Sequence, residues 1–234
     1  MTTGSNMLRQ LNFEGHKITF EERDEVDRSV AAEIFKFREY RAAETTVKTA
    51  KLIVDVGAHV GLFTLYCRAL NPTAKIVALE PEPNNFLRLT SSLALNSVIG
   101  VLTEPVALAS KTGYARLIIS DDSHNHHLGH DNAPGEGLAV KTVSLSSLKK
   151  QKKIGQIDLI KMDIEGGEYD ILENWTAVDF AGINHIILEY HDIKKNGRQI
   201  LEKILRENGF GVQVFPSKFS RRLGFIWAHN KRIK

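Results

Sequence analysis

Ile53-Val54-Asp55-Val56-Gly57-Ala58-His59-Val60-Gly61 is the stretch on which the reading of this chain turns. An apolar run from Leu52 to Val54 ends in Asp55, a glycine turn follows, and residues 62–70 are apolar and compatible with a helix. Strand, glycine turn and helix together build a nucleotide site in α/β domains. The helix N-terminus offers backbone N–H groups, and missing side chains let a ligand approach the main chain. A dinucleotide fingerprint reads G-x-G-x-x-G. Here the pattern is D-x-G-A-x-x-G, with one glycine fewer and an acid two residues before the first. That form points away from a pyrophosphate and towards a ligand that presents an amine or hydroxyls. A tight structural turn is the plainer alternative.

Working outward, residues 74–80 (AKIVALE) read as a second buried strand, followed by a turn at Pro81 and Pro83 and a helix over 84–95. Residues 101–108 read as a third strand and 114–119 as a short extended piece. Another strand is expected over 138–143, and a short helix over 144–150. Residues 157–163 (IDLIKMD) and 184–190 (NHIILEY) read as buried strands, the first followed by a helix from 169. A helix over 196–207 closes at Asn208-Gly209, and 210–215 with 224–228 form an antiparallel pair. Upstream, a hairpin is expected over 11–20 around Glu14-Gly15 and a helix over 26–43, in which Val30, Ile34, Phe37 and Arg41 share a period. Strands alternating with helices specify a doubly wound, Rossmann-like α/β fold: a mostly parallel seven-stranded sheet with a C-terminal antiparallel hairpin. The expected organisation is an N-terminal extension over 1–45 and a ligand-binding domain over 46–234, with a polar insertion near 120–137. Long irregular insertions are functional or mobile more often than inert.

The 234 residues suffice for one domain of ordinary size with a short addition, and 42% hydrophobic with 25% charged residues is the composition of a globular protein. The single cysteine, Cys67, has no internal disulfide partner and reads as a small buried residue. No stretch has the apolar length of a membrane span, and residues 1–10 lack the apolar core of a signal peptide. The expectation is therefore a cytoplasmic protein without a membrane partner. A net charge of +3 is too small to argue for nucleic acid; the basic residues from Lys218 to Lys234 read as a solvated tail. The sequence leaves the oligomeric state open, a homodimer included.

In doubly wound sheets ligands sit at the carboxyl ends of the strands. Four apolar runs here end in Asp55, Glu80, Asp163 and Glu189, so four acids are expected along one edge. Glu80 follows Gly61 by 19 residues, the place where an acid accepts hydrogen bonds from a ribose diol. A turn acid before Pro81 is the alternative.

The chain resembles the FkbM family of class I S-adenosylmethionine-dependent methyltransferases. The resemblance rests on D-V-G-A-H-V-G at 55–61, L-E-P-E-P-N-N-F at 79–86, V-A-L at 106–108 and K-M-D-I-E-G-G-E at 161–168, in this order, and extends over about residues 26–230. It implies S-adenosylmethionine along the first two strands. Gly57 and Ala58 would admit the methionyl part, Asp55 would help hold that end, and His59, Gly61 and Pro81 would join them in binding the cofactor. Glu80 would take the ribose hydroxyls and Ala107 would flank adenine. His59 stands where the family often has a small polar residue, and its own role is open.

Asp163 ends the strand that faces the transferred methyl, which makes it the first candidate for the catalytic group, with Glu165 and His191 beside it. For an alcohol acceptor a base must remove a proton, and Asp163 or His191 qualifies. Alternatively, Asp163 and Glu189 would hold a divalent metal such as Mg²⁺. Glu168 reads equally well as a first-turn acid of the following helix. His124, His126, His127 and His130 match no closed zinc pattern and read as part of a polar loop over the substrate. Trp175 and Trp227 read as packing. The expected activity is O-methylation of a hydroxyl on a sugar or other small metabolite. N-methylation, a nucleotide-binding module without catalysis, and an NAD-dependent oxidoreductase are the alternatives.

Overall fold

Five apolar runs of the sequence become adjacent parallel strands in the computed structural model, which describes residues 7–118, 127–129, 137–191, 196–217 and 222–233. In chain order the elements begin with a hairpin, β1 (Met7–Phe13) and β2 (His16–Glu22), then α1 (Glu25–Ala31) and α2 (Glu44–Thr49). The strand–turn–helix unit follows as β3 (Leu52–Val56) and α3 (Leu62–Leu70), then β4 (Lys75–Leu79), α4 (Pro83–Leu95) and β5 (Val101–Glu104). Next come β6 (Ala107–Leu108), β7 (Gly113–Ile118), β8 (His127–Gly129), β9 (Gly137–Val143) and α5 (Leu145–Lys152). The chain continues with β10 (Ile157–Met162), α6 (Gly167–Asn174), α7 (Ala177–Ala181), β11 (Ile183–His191), α8 (Gly197–Glu207), β12 (Phe210–Pro216) and β13 (Leu223–Asn230).

The main sheet has the order β12-β13-β11-β10-β3-β4-β5. β13 is antiparallel to both of its neighbours, so it alone opposes the other strands. This is the expected seven-stranded, mostly parallel sheet with its antiparallel hairpin. The central strands are apolar throughout because helices cover both faces: Ile53, Val54, Val56, Leu159, Ile160 and Met162 are all buried. Two cores result, one on each face; the first contains α3 and the N-terminal hairpin, the second contains α6, α8 and Leu145 of α5.

Three expectations are corrected. The strand expected over 101–108 is split: Val101–Glu104 pairs with β4, whereas Ala107–Leu108 pairs with β9 in a second, four-stranded sheet of order β6-β9-β7-β8. Pro105 lies at the break, and proline has no N–H to continue a ladder. That second sheet was itself not expected. The helix expected over 26–43 is three pieces: α1, a π-helical turn at Ala32–Lys36 and a 3-10 helix at Glu39–Ala43, separated by Arg38 in the left-handed region at φ 54°. The period that suggested one helix is broken there. Phe37 is 60% exposed, while Phe35 and Tyr40 are buried, and an inserted π turn shifts the buried face in this way.

The N-terminal segment is latched to the sheet's helices. Asp27 and Arg88, both buried, form an ion pair, and Asp27 also accepts from the Arg23 amide at 2.8 Å. Asn96 at the end of α4 exchanges bonds with Thr19, accepting from its N–H at 2.8 Å and donating to its carbonyl at 2.6 Å. Phe13 stacks on Tyr66 of α3 with ring centroids 4.9 Å apart. Among the described residues no helix is long and apolar enough to cross a membrane. His124, His126 and His130 lie outside the described residues, and His127 is described only through its backbone in β8.

Candidate active site

The parallel strands end together, and a cavity of ≈ 1340 Å³ opens along their carboxyl edge. Gly57, Ala58, His59, Glu80, Pro81 and Ala107 line one part of it; Asp163, Glu165, Glu189 and His191 line another. Asp55 and Gly61, expected with the first group, stand behind the wall. Asp55 is fully buried, accepts from the Thr64 hydroxyl at 2.7 Å and lies 3.5 Å from the Lys161 ammonium. Gly61 precedes α3 at φ 88°, and a Cβ there would stand 2.7 Å from a methyl of Leu89.

The glycine turn is built for close approach. Gly57 has φ 73°, a region that L side chains rarely adopt, and a Cβ at this position would overlap the Asp163 carbonyl. The amides of Gly57 and Ala58 both donate to the Leu79 carbonyl, at 3.1 and 2.9 Å. The turn therefore ties β3 to β4 and offers the cavity its bare backbone rather than those two donors. The Gly57 carbonyl accepts from Lys161 Nζ at 2.8 Å.

Glu80 is 6% exposed and fixed by both oxygens: Oε2 accepts from the His59 amide at 2.8 Å and Oε1 from the Glu82 amide at 2.9 Å. Burial pushes its pKa up to about 7 against the pull of those two N–H groups. His59 sits at φ 50° and holds Glu80 through its main chain, which gives the middle of the turn a backbone role.

On the other side, the Asp163 carboxylate lies 3.7 Å from Lys161 Nζ and accepts from the Tyr40 hydroxyl at 3.4 Å. Glu189 stands beside it, and burial first, then Asp163, holds Glu189 well above the carboxylate range. Glu165, in the left-handed region at φ 54°, turns back to His191 Nε2 at 3.0 Å. Burial opposes a charge on His191, but the Glu165 hydrogen bond and the nearby Glu168 outweigh it and raise His191 to about 10. Glu168 points inward: it is fully buried, and its Oε1 accepts from the Ile164 amide at 2.9 Å. Asp163, Glu189 and His191 present possible metal-ligand atoms within 4.8 Å of one another.

Two side chains at this edge carry no expectation from the sequence. Lys161 had a signal: a cation inside the run IDLIKMD, in a strand covered on both faces, must find a buried partner. Burial pulls its pKa down, yet Asp55 and Asp163 overcome it and keep the ammonium above its ordinary value. Tyr40 had none, since 123 positions separate it from Asp163. Trp175 is edge-on to Phe180 and Trp227 stacks on His185, both in packing roles.

A family model described as the methyltransferase FkbM domain matches residues 55–212. The chain is similar to the 31-O-demethyl-FK506 methyltransferase FkbM of Streptomyces tacrolimicus, with 24% identity covering 77% of this chain and 80% of that protein. It is also similar to the hexuronic acid methyltransferase AglP of Haloferax volcanii, with 27% identity covering 68% of this chain and 66% of that one. Among solved structures, Aeropyrum pernix fibrillarin, crystallised with S-adenosyl-L-methionine, superimposes with a TM-score of 0.52 at 13% identity, covering 97% of this chain and 84% of that one. At that identity the likeness is one of fold.

Proposed function

The chain belongs to the FkbM methyltransferase family, and from that premise we propose that it is an S-adenosylmethionine-dependent O-methyltransferase acting on a hydroxyl of a sugar or other small metabolite. One observation carries the reading: a side-chain-free turn at Gly57 and a fixed carboxylate at Glu80 share one cavity with Asp163. Gly57 and Ala58 admit the methionyl end, with Asp55 acting from behind them through Thr64 and Lys161. Glu80 accepts the ribose hydroxyls with the lone pairs its backbone partners leave free, and Ala107 flanks the adenine. Bound there, the sulfonium supplies an electrophilic methyl carbon.

The protein's part is alignment and proton removal. When bound, the cofactor would give up its methyl to the acceptor oxygen and keep the sulfur electron pair. The Asp163 carboxylate takes the hydroxyl proton. Asp163 is preferred to His191 as base because the Glu165 pair keeps the imidazole protonated near neutral pH. His191 then places a positive charge beside the acids, and Glu165 holds it there.

The close approach of Asp163 and Glu189 supports a second version of the chemistry. Two carboxylates suit a hard cation such as Mg²⁺, which would lower the acceptor hydroxyl's pKa. Glu165 already engages His191 Nε2, so this version rests on the two acids. Chelation separates the versions: turnover that survives EDTA supports Asp163 as base, and turnover lost and restored by Mg²⁺ supports the ion. An amine acceptor needs less help from a base, so N-methylation predicts turnover that survives Asp163→Asn. The cofactor half is tested by titrating S-adenosylhomocysteine into the protein calorimetrically; no binding would sink the proposal.

A further inference from the structure

The acceptor has no assigned recognition residue, and the N-terminal segment forms part of the cavity wall beside Asp163. Glu33, Ile34, Glu39 and Tyr40 line the same cavity as Asp163. Known small-molecule pockets run from about 300 to 1,000 Å³, so a cavity of ≈ 1340 Å³ leaves room for an acceptor beside a nucleoside-sized cofactor. The 3-10 helix Glu39–Ala43 aims this wall. Its second residue, Tyr40, is 4% exposed and clamped edge-on by Phe63 and Phe225 at 4.6 and 5.2 Å, with its hydroxyl on Asp163. Glu39 is thereby held one residue from a fixed anchor.

Three cations of this region are committed elsewhere. Arg38 turns away to Glu44 at 2.7 Å and Glu14 at 2.9 Å. Arg28 pairs with Glu22 at 2.6 Å, and Lys161 is taken by Gly57, Asp55 and Asp163. Glu33 has its own donor, the Ser29 hydroxyl at 2.8 Å. Among the described residues Glu39 has no hydrogen-bond or ion-pair partner. Burial, then Glu33 and Asp163, pushes its pKa up to about 7, as expected of a cavity carboxyl with nothing to compensate it.

We propose that Glu39 is a specificity-determining residue for the acceptor. Its unpartnered carboxylate receives a hydroxyl or ammonium donor of a donor-rich acceptor and repels one that brings a carboxylate to the same place. The inference rests on the methyltransferase reading above. Glu39 is half-buried, and a ligand that covers it without offering a donor leaves it unpaired, which penalises the wrong ligand more than an added contact rewards the right one.

The test uses the full chain saturated with S-adenosylhomocysteine at pH 8, where Glu39 is ionised. Methyl glucoside, methyl glucosaminide and methyl glucuronide are titrated separately and read by saturation-transfer NMR. The neutral and amino sugars are expected to bind at least about tenfold more tightly than the uronide, equivalent to about 1.4 kcal/mol. Glu39→Gln, which keeps the shape, is expected to narrow that ratio to about threefold or less, and Glu39→Asp to retain its direction. S-adenosylhomocysteine affinity is expected to be unchanged in both variants. A uronide that binds wild type as tightly as the glucoside, no binding by any of the three sugars, or an unchanged ratio in Glu39→Gln overturns the inference. Failure of S-adenosylhomocysteine to bind wild type would instead overturn the methyltransferase reading.

Discussion

Lys161 donates to the carbonyl of Gly57 across 104 positions of sequence, at 2.8 Å, while its ammonium lies between Asp55 and Asp163. One buried cation thus joins the glycine turn to the strand that carries the candidate base. Removing it strands the fully buried Asp55 charge. Lys161→Met is therefore expected to lower the unfolding free energy by about 3–5 kcal/mol in urea titrations. Lys161→Met combined with Asp55→Asn is expected to recover part of that loss, because the two groups are coupled.

Gly57→Ala introduces a side chain where the Asp163 carbonyl already stands, at a φ of 73°. Strain of about 1–3 kcal/mol is expected from the backbone alone. The displaced contact lies between the two halves of the site, so S-adenosylhomocysteine affinity is expected to fall by at least about tenfold, as measured by calorimetry. A variant that binds as tightly as wild type would show that the turn does not need to be bare.

Glu80 gives a pH dependence with a definite sign. Burial raises its folded pKa from 4.5 to about 7. A raised carboxylate contributes stability that is fully present below the unfolded pKa and is lost as pH rises through the folded one. Its contribution therefore declines between about pH 4.5 and 7, and Glu80→Gln is expected to remove that part of the slope in thermal unfolding. Ligand affinity runs the other way. In its proposed ribose-binding role Glu80 accepts best when ionised, so S-adenosylhomocysteine is expected to bind more tightly as pH rises towards 7, and this trend is expected to vanish in Glu80→Gln.

Asp163→Asn keeps the shape at the strand end and removes the proposed base. Turnover is expected to fall by about 10²–10⁴, the usual range for a positioned proton acceptor, while S-adenosylhomocysteine affinity stays within about threefold. The measurement is single-turnover release of S-adenosylhomocysteine beside a calorimetric titration of the same preparation.

The main sheet was legible because burial on both faces demands continuous apolar runs, and four of those runs end in acids. The turn was legible because Gly57 and Gly61 are required by left-handed geometry and close packing. Tyr40 was not, because a contact spanning 123 positions leaves no local trace. Glu39 was hidden by the apparent helical period of 26–43, which the π turn and the left-handed Arg38 interrupt. Strand 101–108 looked continuous because Val106, Ala107 and Leu108 are as apolar as a strand interior; Pro105 was the signal that β6 leaves for another sheet. Asp55 shows the remaining limit. A strand-end acid can face the ligand or stand behind it, and only the Lys161 and Thr64 contacts show that it stands behind.

Calorimetric titration of S-adenosylhomocysteine into wild type and Glu80→Ala tests the central claim most directly. One site per chain is expected in wild type, with at least about a tenfold loss of affinity in the variant, equivalent to about 1.4 kcal/mol. No binding to wild type, or equal affinity in Glu80→Ala, would contradict it.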